Sequence, residues 1–293
     1  MSGEATKYGV LVAVDGSAQS DAAVAWATRD AALRRVPLTL LHAVAPVVVG
    51  WPVGRLYSEM PDWQKTNADS VIAQARTVVE KALDGSEPPE LRIEVSYQNV
   101  VPALIEASQR AQLLVVGNQG IGAVGRLLLG SVSSALIHHA HCPVAVIRSD
   151  EGAVPDPQRP VLVGIDGSPA SEAATAWAFE EASRRGVGLI ALHAWSDVGI
   201  FPVLGMDWRE RESEAGEVLA ERLAGWNEQY PDVNVKRLLV CDTPTKWLLQ
   251  EAERAQLVVV GSRGRGGFSG MLLGSTSSAV VHSTKTPVIV VRA

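Results

Sequence analysis

Two stretches of the chain carry the residue types for holding an anion on backbone groups alone. GNQGIGAVGRLLLGS spans residues 117–131 and GSRGRGGFSGMLLGS spans residues 261–275. Each opens on glycine directly after an apolar run and closes on Gly-Ser where a helix is expected. Phosphate is a compact anion that N–H groups bind once the chain turns to aim several of them at one point. Glycine permits the positive φ angles and the close approach that this requires. A helix N-terminus adds free N–H groups and partial positive charge. Gly117, Gly120 and Gly122 supply the turn, and Gly130-Ser131 the helix start. The second stretch offers Gly261, Gly264, Gly266, Gly267, Gly274 and Ser275. Ser131 either caps its helix or donates to a phosphate oxygen.

Neither stretch is a P-loop, because G-x4-G-K-[ST] is absent and neither contains lysine. The dinucleotide fingerprint fails too, since its glycines follow a first strand and an acidic residue comes about 20 residues later. Taken singly, such loops also suit plain surface turns. The two differ in charge: Arg263 and Arg265 stand where the first has Gln119 and Ile121, which carries Arg126 later instead. Arginine pairs with phosphate oxygens, so the second loop is expected to tolerate more phosphate charge.

The elements that position these loops are written twice. Residues 12–44 face 163–195 at an offset of 151 (166 − 15, from Asp15 to Asp166), with 17 of 33 positions identical. Residues 111–148 face 255–292 at an offset of 144 (261 − 117), with 20 of 38 identical. Such self-similarity means two copies of one domain. The expected division is domain 1–148, linker 149–159 and domain 160–293, the proline-bearing SDEGAVPDPQRP marking the seam.

Each copy alternates strands and helices. YGVLVAV, LTLLHAV, LRIEVSY, LLVVG and PVAVIR read as strands, with a helix over about residues 63–83 and a short one from about Pro102. Strands of Val, Ile and Leu with little polar alternation suit a parallel sheet covered on both faces. The expectation is α/β, two doubly wound parallel five-stranded sheets, Rossmann-like sandwiches in tandem. Ligands of such sheets sit beyond the carboxyl ends of the strands, where strand order reverses, so Asp15 and Gly117 are expected to flank one crevice. Ser17 and Ser168-Pro169 fit helix starts. Trp26 and Trp177 are expected to pack their rings on the sheet. His42 and His193 are expected as hydrogen-bonded core residues. Of His138, His139 and His141, only the first and last share a helix face, and no metal-ligand pattern joins them.

Hydrophobic residues at 47 % and charged residues at 20 % provide for packed cores and exclude disorder. A net charge of -6 without a Lys/Arg block argues against nucleic acid. No apolar run approaches the roughly 18 residues of a membrane span. MSGEATKYGV lacks a basic and an apolar leader region, and Cys142 and Cys241 give no disulfide framework, so a cytoplasmic protein is expected.

The motif G-x2-G-x9-G-[ST] resembles the nucleotide signature of the ATP-binding branch of universal stress proteins. It reads Gly117, Gly120, Gly130, Ser131 and again Gly261, Gly264, Gly274, Ser275. VAVDGS and VGIDGS resemble the family's opening strand, CPVAVIR and TPVIVVR its last, and the tandem form resembles two-domain members common in actinobacteria. The resemblance implies ATP or ADP with Mg²⁺, the adenine lying near Ala13, Asp15 and Val44, or Gly164, Asp166 and Trp195. Asp15 and Asp166 would accept ribose hydroxyls or help hold Mg²⁺; helix capping is the alternative. Phosphates would follow Gly117, Asn118, Gln119, Gly120, Ile121 and Gly122 and meet Ser131 and Val132. In the second copy they would follow Ser262, Arg263, Gly264, Arg265 and Gly266 and meet Ser275 and Thr276. The family further implies a homodimer, and a regulator of stress or growth that works through an unidentified protein partner rather than an enzyme. The alternatives are a slow ATPase or nucleotidyl-transfer enzyme, a nucleotide-free scaffold, and cAMP as the ligand.

Overall fold

The apolar runs form strands because they are buried on both faces: consecutive Val10, Leu11 and Val12 have no exposure, nor have Val161, Leu162 and Val163. The computed structural model describes residues 7–46, 54–83, 85, 87–120, 129–148, 156–195, 208–241, 243–265 and 273–292, with backbone only at 54–62, 208–212, 214 and 215. The chain divides into two compact units, Met1–Ser149 and Asp150–Ala293. Residues 149–155 of the expected linker lie outside the described residues.

The first unit runs β1 (Gly9–Ala13), α1 (Ala18–Arg34), β2 (Leu38–Ala43), α2 (Gly54–Ala82), β3 (Leu91–Ser96), α3 (Val100–Ser108), β4 (Ala111–Gly117), α4 (Ser131–His139) and β5 (Val144–Ile147). Its sheet is ordered β3-β2-β1-β4-β5 and every pairing is parallel. Strand order therefore reverses between β1 and β4, as expected. Helix α1 packs with α2 and α3 with α4, covering the sheet.

The second unit repeats the plan as β6 (Val161–Gly164), α5 (Pro169–Arg185), β7 (Leu189–Ala194), α6 (Trp208–Gln229), β8 (Val235–Val240), α7 (Pro244–Ala252), β9 (Leu257–Gly261), α8 (Ser275–Ser283) and β10 (Val288–Val291). Its parallel order is β8-β7-β6-β9-β10, reversing between β6 and β9.

One expectation changes. Helix α2 begins at Gly54 rather than near residue 63, because Gly54 and Pro61 are breaker signals that mask its first turns. Its buried stripe of Ala68, Val71, Ile72, Ala75 and Val79 starts later, and that stripe carries the periodicity. Trp26 and Trp177 are only half-buried. The faces that α1 and α5 bury are Ala23, Val24, Ala27 and Ala31, and Ala174, Ala178, Phe179 and Ala182. Neither cysteine is in a disulfide, and burial pushes the Cys142 thiol up to about 12.

The repeat also exposes one local strain. Helix α1 ends on Arg35 at φ 54°, whereas α5 ends on Gly186 at φ 63°. Only glycine takes this left-handed cap without a Cβ penalty. Arg35→Gly is expected to raise the free energy of unfolding by about 0.5–1 kcal/mol. Urea denaturation checks this, and a drop would show that the arginine side chain outweighs the strain.

Candidate functional site

The turn after β1 is tied to the start of α1 through Asp15. Its Oδ1 accepts from the backbone N–H of Ser17 at 3.0 Å and from the Ser17 hydroxyl at 2.6 Å. Ser17 Oγ in turn accepts from the N–H of Ser20 at 3.1 Å and so caps α1. Ser20 Oγ accepts from the N–H of Asp15 at 3.2 Å. Gly16, at φ 83°, makes the turn possible. The second unit repeats this with the Ser168 N–H on Asp166, Ser168 capping α5, Asp166 N–H on Ser171 and Gly167 at φ 77°, except that Ser168 Oγ donates to Arg263 O at 3.1 Å.

Across the strand reversal, the glycine loop leaves β4 and is drawn shut by Gly130 N–H donating to Asn118 O at 2.7 Å. Ser133 Oγ donates to Gly117 O at 2.6 Å. Gly274 N–H to Ser262 O at 2.7 Å and Ser277 Oγ to Gly261 O at 2.6 Å reproduce both bonds in the second unit.

The glycines are needed for close approach. None of Gly117, Gly120, Gly130, Gly261, Gly264 and Gly274 has a positive φ. A Cβ on Gly120 would lie 2.5 Å from Asp15 Oδ2, and one on Gly264 would lie 2.5 Å from Asp166 Oδ2. The second loop glycine thus rests on the aspartate in both units. Arg265 N–H also donates to Asp166 Oδ2, at 3.2 Å.

Helix α4 starts at this junction on Gly130 with no side-chain cap, and α8 starts likewise on Gly274. By contrast, α1 and α5 have serine caps. The first-turn amides of α4 and α8 therefore lack the acceptor that a cap supplies, and a bound anion would complete them.

In the first unit these parts enclose a cavity of about 470 Å³. Of the expected residues, Ala13, Asp15, Gly117, Gln119, Gly120, Gly130, Ser131 and Val132 line it. Val44 does not; its N–H donates to Ser96 O, and Ala43, one residue earlier, takes the wall. Asn118 is buried behind the wall, its Oδ1 without a hydrogen-bond partner among the described residues. Ile121, Gly122 and Arg126 lie outside the described residues, as does Gly266. Leu41, Ala43, Val100 and Leu104 make one end apolar.

In the second unit, Asp166, Gly261, Gly264 and Gly274 are joined by the same contacts. Ser275 and Thr276 open α8, and Ser262 is buried with its N–H on Val291 O. Gly164 ends β6, where a Cβ would lie 3.3 Å from Leu248 Cδ1. Trp195 follows β7, its N–H on Val240 O. Arg263 lies near Arg292; burial first, then this like charge, holds the Arg292 guanidinium below its usual range.

His42 and His193 are buried, and each ring Nδ1 donates to a strand-end carbonyl at 2.7 Å, on Val14 and on Ile165. Both are core residues, as expected. No group of three His, Cys, Asp or Glu side chains gathers for a metal among the described residues. Mg²⁺ here would arrive on the phosphates of a nucleotide, with Asp15 or Asp166 as the carboxylate at hand. Ser20, Ser133 and their partners Ser171 and Ser277 escaped the sequence reading. Their identity at equal spacing in both copies was the signal that could have found them.

The fold and its site define a class first: a duplicated, doubly wound α/β protein with a glycine cradle at each strand reversal. The family model described as the universal stress protein family matches residues 9–148 and again residues 158–292, and the chain belongs to that family. It is 55 % identical over 288 residues to a universal stress protein of Mycolicibacterium smegmatis, covering 98 % of both chains. A universal stress protein of Mycobacterium tuberculosis is 51 % identical over 293 residues, covering 100 % of this chain and 99 % of the relative. The crystal structure of a universal stress protein from Archaeoglobus fulgidus superposes with a TM-score of 0.72 at 22 % identity. That match covers 98 % of this chain and 99 % of the other, and it shows the shared fold.

Proposed function

We propose that this chain is an adenine-nucleotide-binding regulator with one site in each of two domains, 1–148 and 160–293, joined by the linker 149–159. ATP or ADP, with Mg²⁺ carried on the phosphates, occupies the cradles, and occupancy biases the protein's contacts with a partner in stress or growth control. The observation that carries this reading is the composition of the first cavity. Its apolar end, with Leu41, Ala43 and Leu104, suits a flat base. Its other end, with Gly120, Gly130 and the uncapped start of α4, suits phosphate. Asp15 stands between them and can accept ribose hydroxyls. The protein holds the nucleotide rather than turning it over, and it acts in the cytoplasm as a homodimer. No described helix is long and apolar enough to cross a membrane.

Gentle purification followed by mass spectrometry and chromatography of the released small molecules tests this directly. About two ATP or ADP per chain is the expected result, one for each cradle. No nucleotide, and none acquired from added Mg-ATP, would overturn the reading in favour of a scaffold. Release of cAMP, or its displacement of ATP, would replace the ligand. Turnover that scales with protein and vanishes in Asp15→Ala and Asp166→Ala would make the chain a catalyst.

A further inference from the structure

We propose, resting on the nucleotide reading above, that the two cradles select different phosphate charge, and that Arg222 of α6 fits the second for a nucleoside triphosphate. A Cβ on Gly167 would lie 2.5 Å from Arg222 Nη2 and 2.7 Å from Arg265 Nη2. One guanidinium from a helix and one from the glycine loop thus converge on a single point. That point is the residue after Asp166, on whose carboxylate Gly264 rests, so the pair stands at the rim of the cradle.

Guanidiniums so placed repel each other. Among the described residues, two carboxylates stand nearby. Glu172 Oε1 accepts from Arg222 Nη1 at 2.9 Å, but its side chain is 66 % exposed. Asp166 Oδ2 already accepts the backbone N–H of Arg265. Arg222 Nε is buried and has no hydrogen-bond partner among the described residues. Arg263 adds a third cation on the same loop, near Arg292. A bound polyanion would relieve this excess positive charge.

Among the described residues, the first unit fills the same place without charge. Gln74 of α2 donates from Nε2 to Asp21 Oδ2 at 2.7 Å and to Gly16 O at 3.3 Å. Asp21 is the repeat partner of Glu172 (172 − 21 = 151) and Gly16 that of Gly167 (167 − 16 = 151). Gln74 therefore does neutrally what Arg222 does as a cation. Gln119 and Ile121 stand at the positions of Arg263 and Arg265 (263 − 119 = 144; 265 − 121 = 144). A single phosphate is matched by loop and helix amides, which both units share. Further phosphates add negative charge that guanidinium forks match far better than amides do. The second cradle is thereby better suited to a triphosphate than the first, while both take an adenine nucleotide.

Calorimetric titration of the full-length chain with AMP and with Mg-ATP tests the assignment. Gly120→Val silences the first cradle and leaves the second to be read. There, Arg222→Gln is expected to lower the preference for Mg-ATP over AMP by about fivefold to tenfold, whereas Arg222→Lys keeps most of it. In the converse background, Gly264→Val, the variant Gln74→Arg is expected to raise the same ratio in the first cradle. Unchanged ratios in both backgrounds, with both nucleotides still binding, would overturn the role of Arg222 and leave the nucleotide reading standing. Failure of both nucleotides to bind the parent chain would sink the nucleotide reading itself and this proposal with it. Should Arg222→Gln fail to fold, the Gln74→Arg ratio alone decides, since that change adds charge to an exposed side chain.

Discussion

A chain carrying both Gly120→Val and Gly264→Val is expected to stay folded and to lose adenine nucleotide by about a hundredfold, roughly 2–3 kcal/mol at each site. The backbone is not the reason, because neither glycine has a positive φ. Each would place its Cβ 2.5 Å from a carboxylate oxygen of Asp15 or Asp166. A carboxylate on a mobile side chain would swing aside at little cost. Asp15 is held through Oδ1 by the N–H and hydroxyl of Ser17, which also caps α1, so turning it breaks bonds that shape the turn. Asp166 is held through Oδ1 by the Ser168 N–H and through Oδ2 by the Arg265 N–H. The loops yield instead and lift from the aspartates. The amides that would face phosphate are then no longer aimed at one point. Calorimetry with Mg-ATP, beside a thermal melt to confirm folding, checks this. Undiminished binding in a folded double variant would mean that the loops are not the phosphate cradle.

What the sequence made legible follows from which forces are local. Val10–Val12 and Val161–Val163 announce buried parallel strands because a strand covered on both faces has no polar side to show. The position of the cradle was legible too, since Gly117 ends β4 and strand order reverses beside it in every sheet of this plan. The reason for the glycines was only half legible. Positive φ and close approach both call for glycine, and a sequence cannot tell them apart. The structure gives positive φ to Gly16 and Gly167 in the aspartate turn and close approach to Gly120 and Gly264 in the loop. Arg222 was beyond reach. It lies where the copies diverge, between segments related by offsets of 151 and 144. Its correspondence with Gln74 shows in the shared contacts to Gly167 or Gly16 and to Glu172 or Asp21.

Gly261→Ala is expected to cost the second unit about 2–4 kcal/mol of stability, more than most single substitutions do. Gly261 ends β9 against the first turn of α5, where a Cβ would lie 2.7 Å from Ala170 C, 2.8 Å from Ala170 O and 2.9 Å from Ser171 N. All three are backbone atoms, so no rotamer change makes room. The glycine cannot retreat either. It pairs with Val291 of β10, and its carbonyl accepts from Ser277 Oγ at 2.6 Å. Relief requires moving the start of α5, which carries the Ser168 cap and the turn through Asp166. The same methyl group would therefore loosen the aspartate turn as it strains the core. Gly225→Ala in α6 is the control, because nothing lies within 4 Å of its Cβ position. An alanine inside a helix is stabilising by up to about 1 kcal/mol. Urea denaturation of the two variants should separate them in opposite directions from the parent. If Gly261→Ala proved as stable as Gly225→Ala, the strand end and the helix start would not be locked together. The close approach that makes both glycine loops possible would then need another explanation.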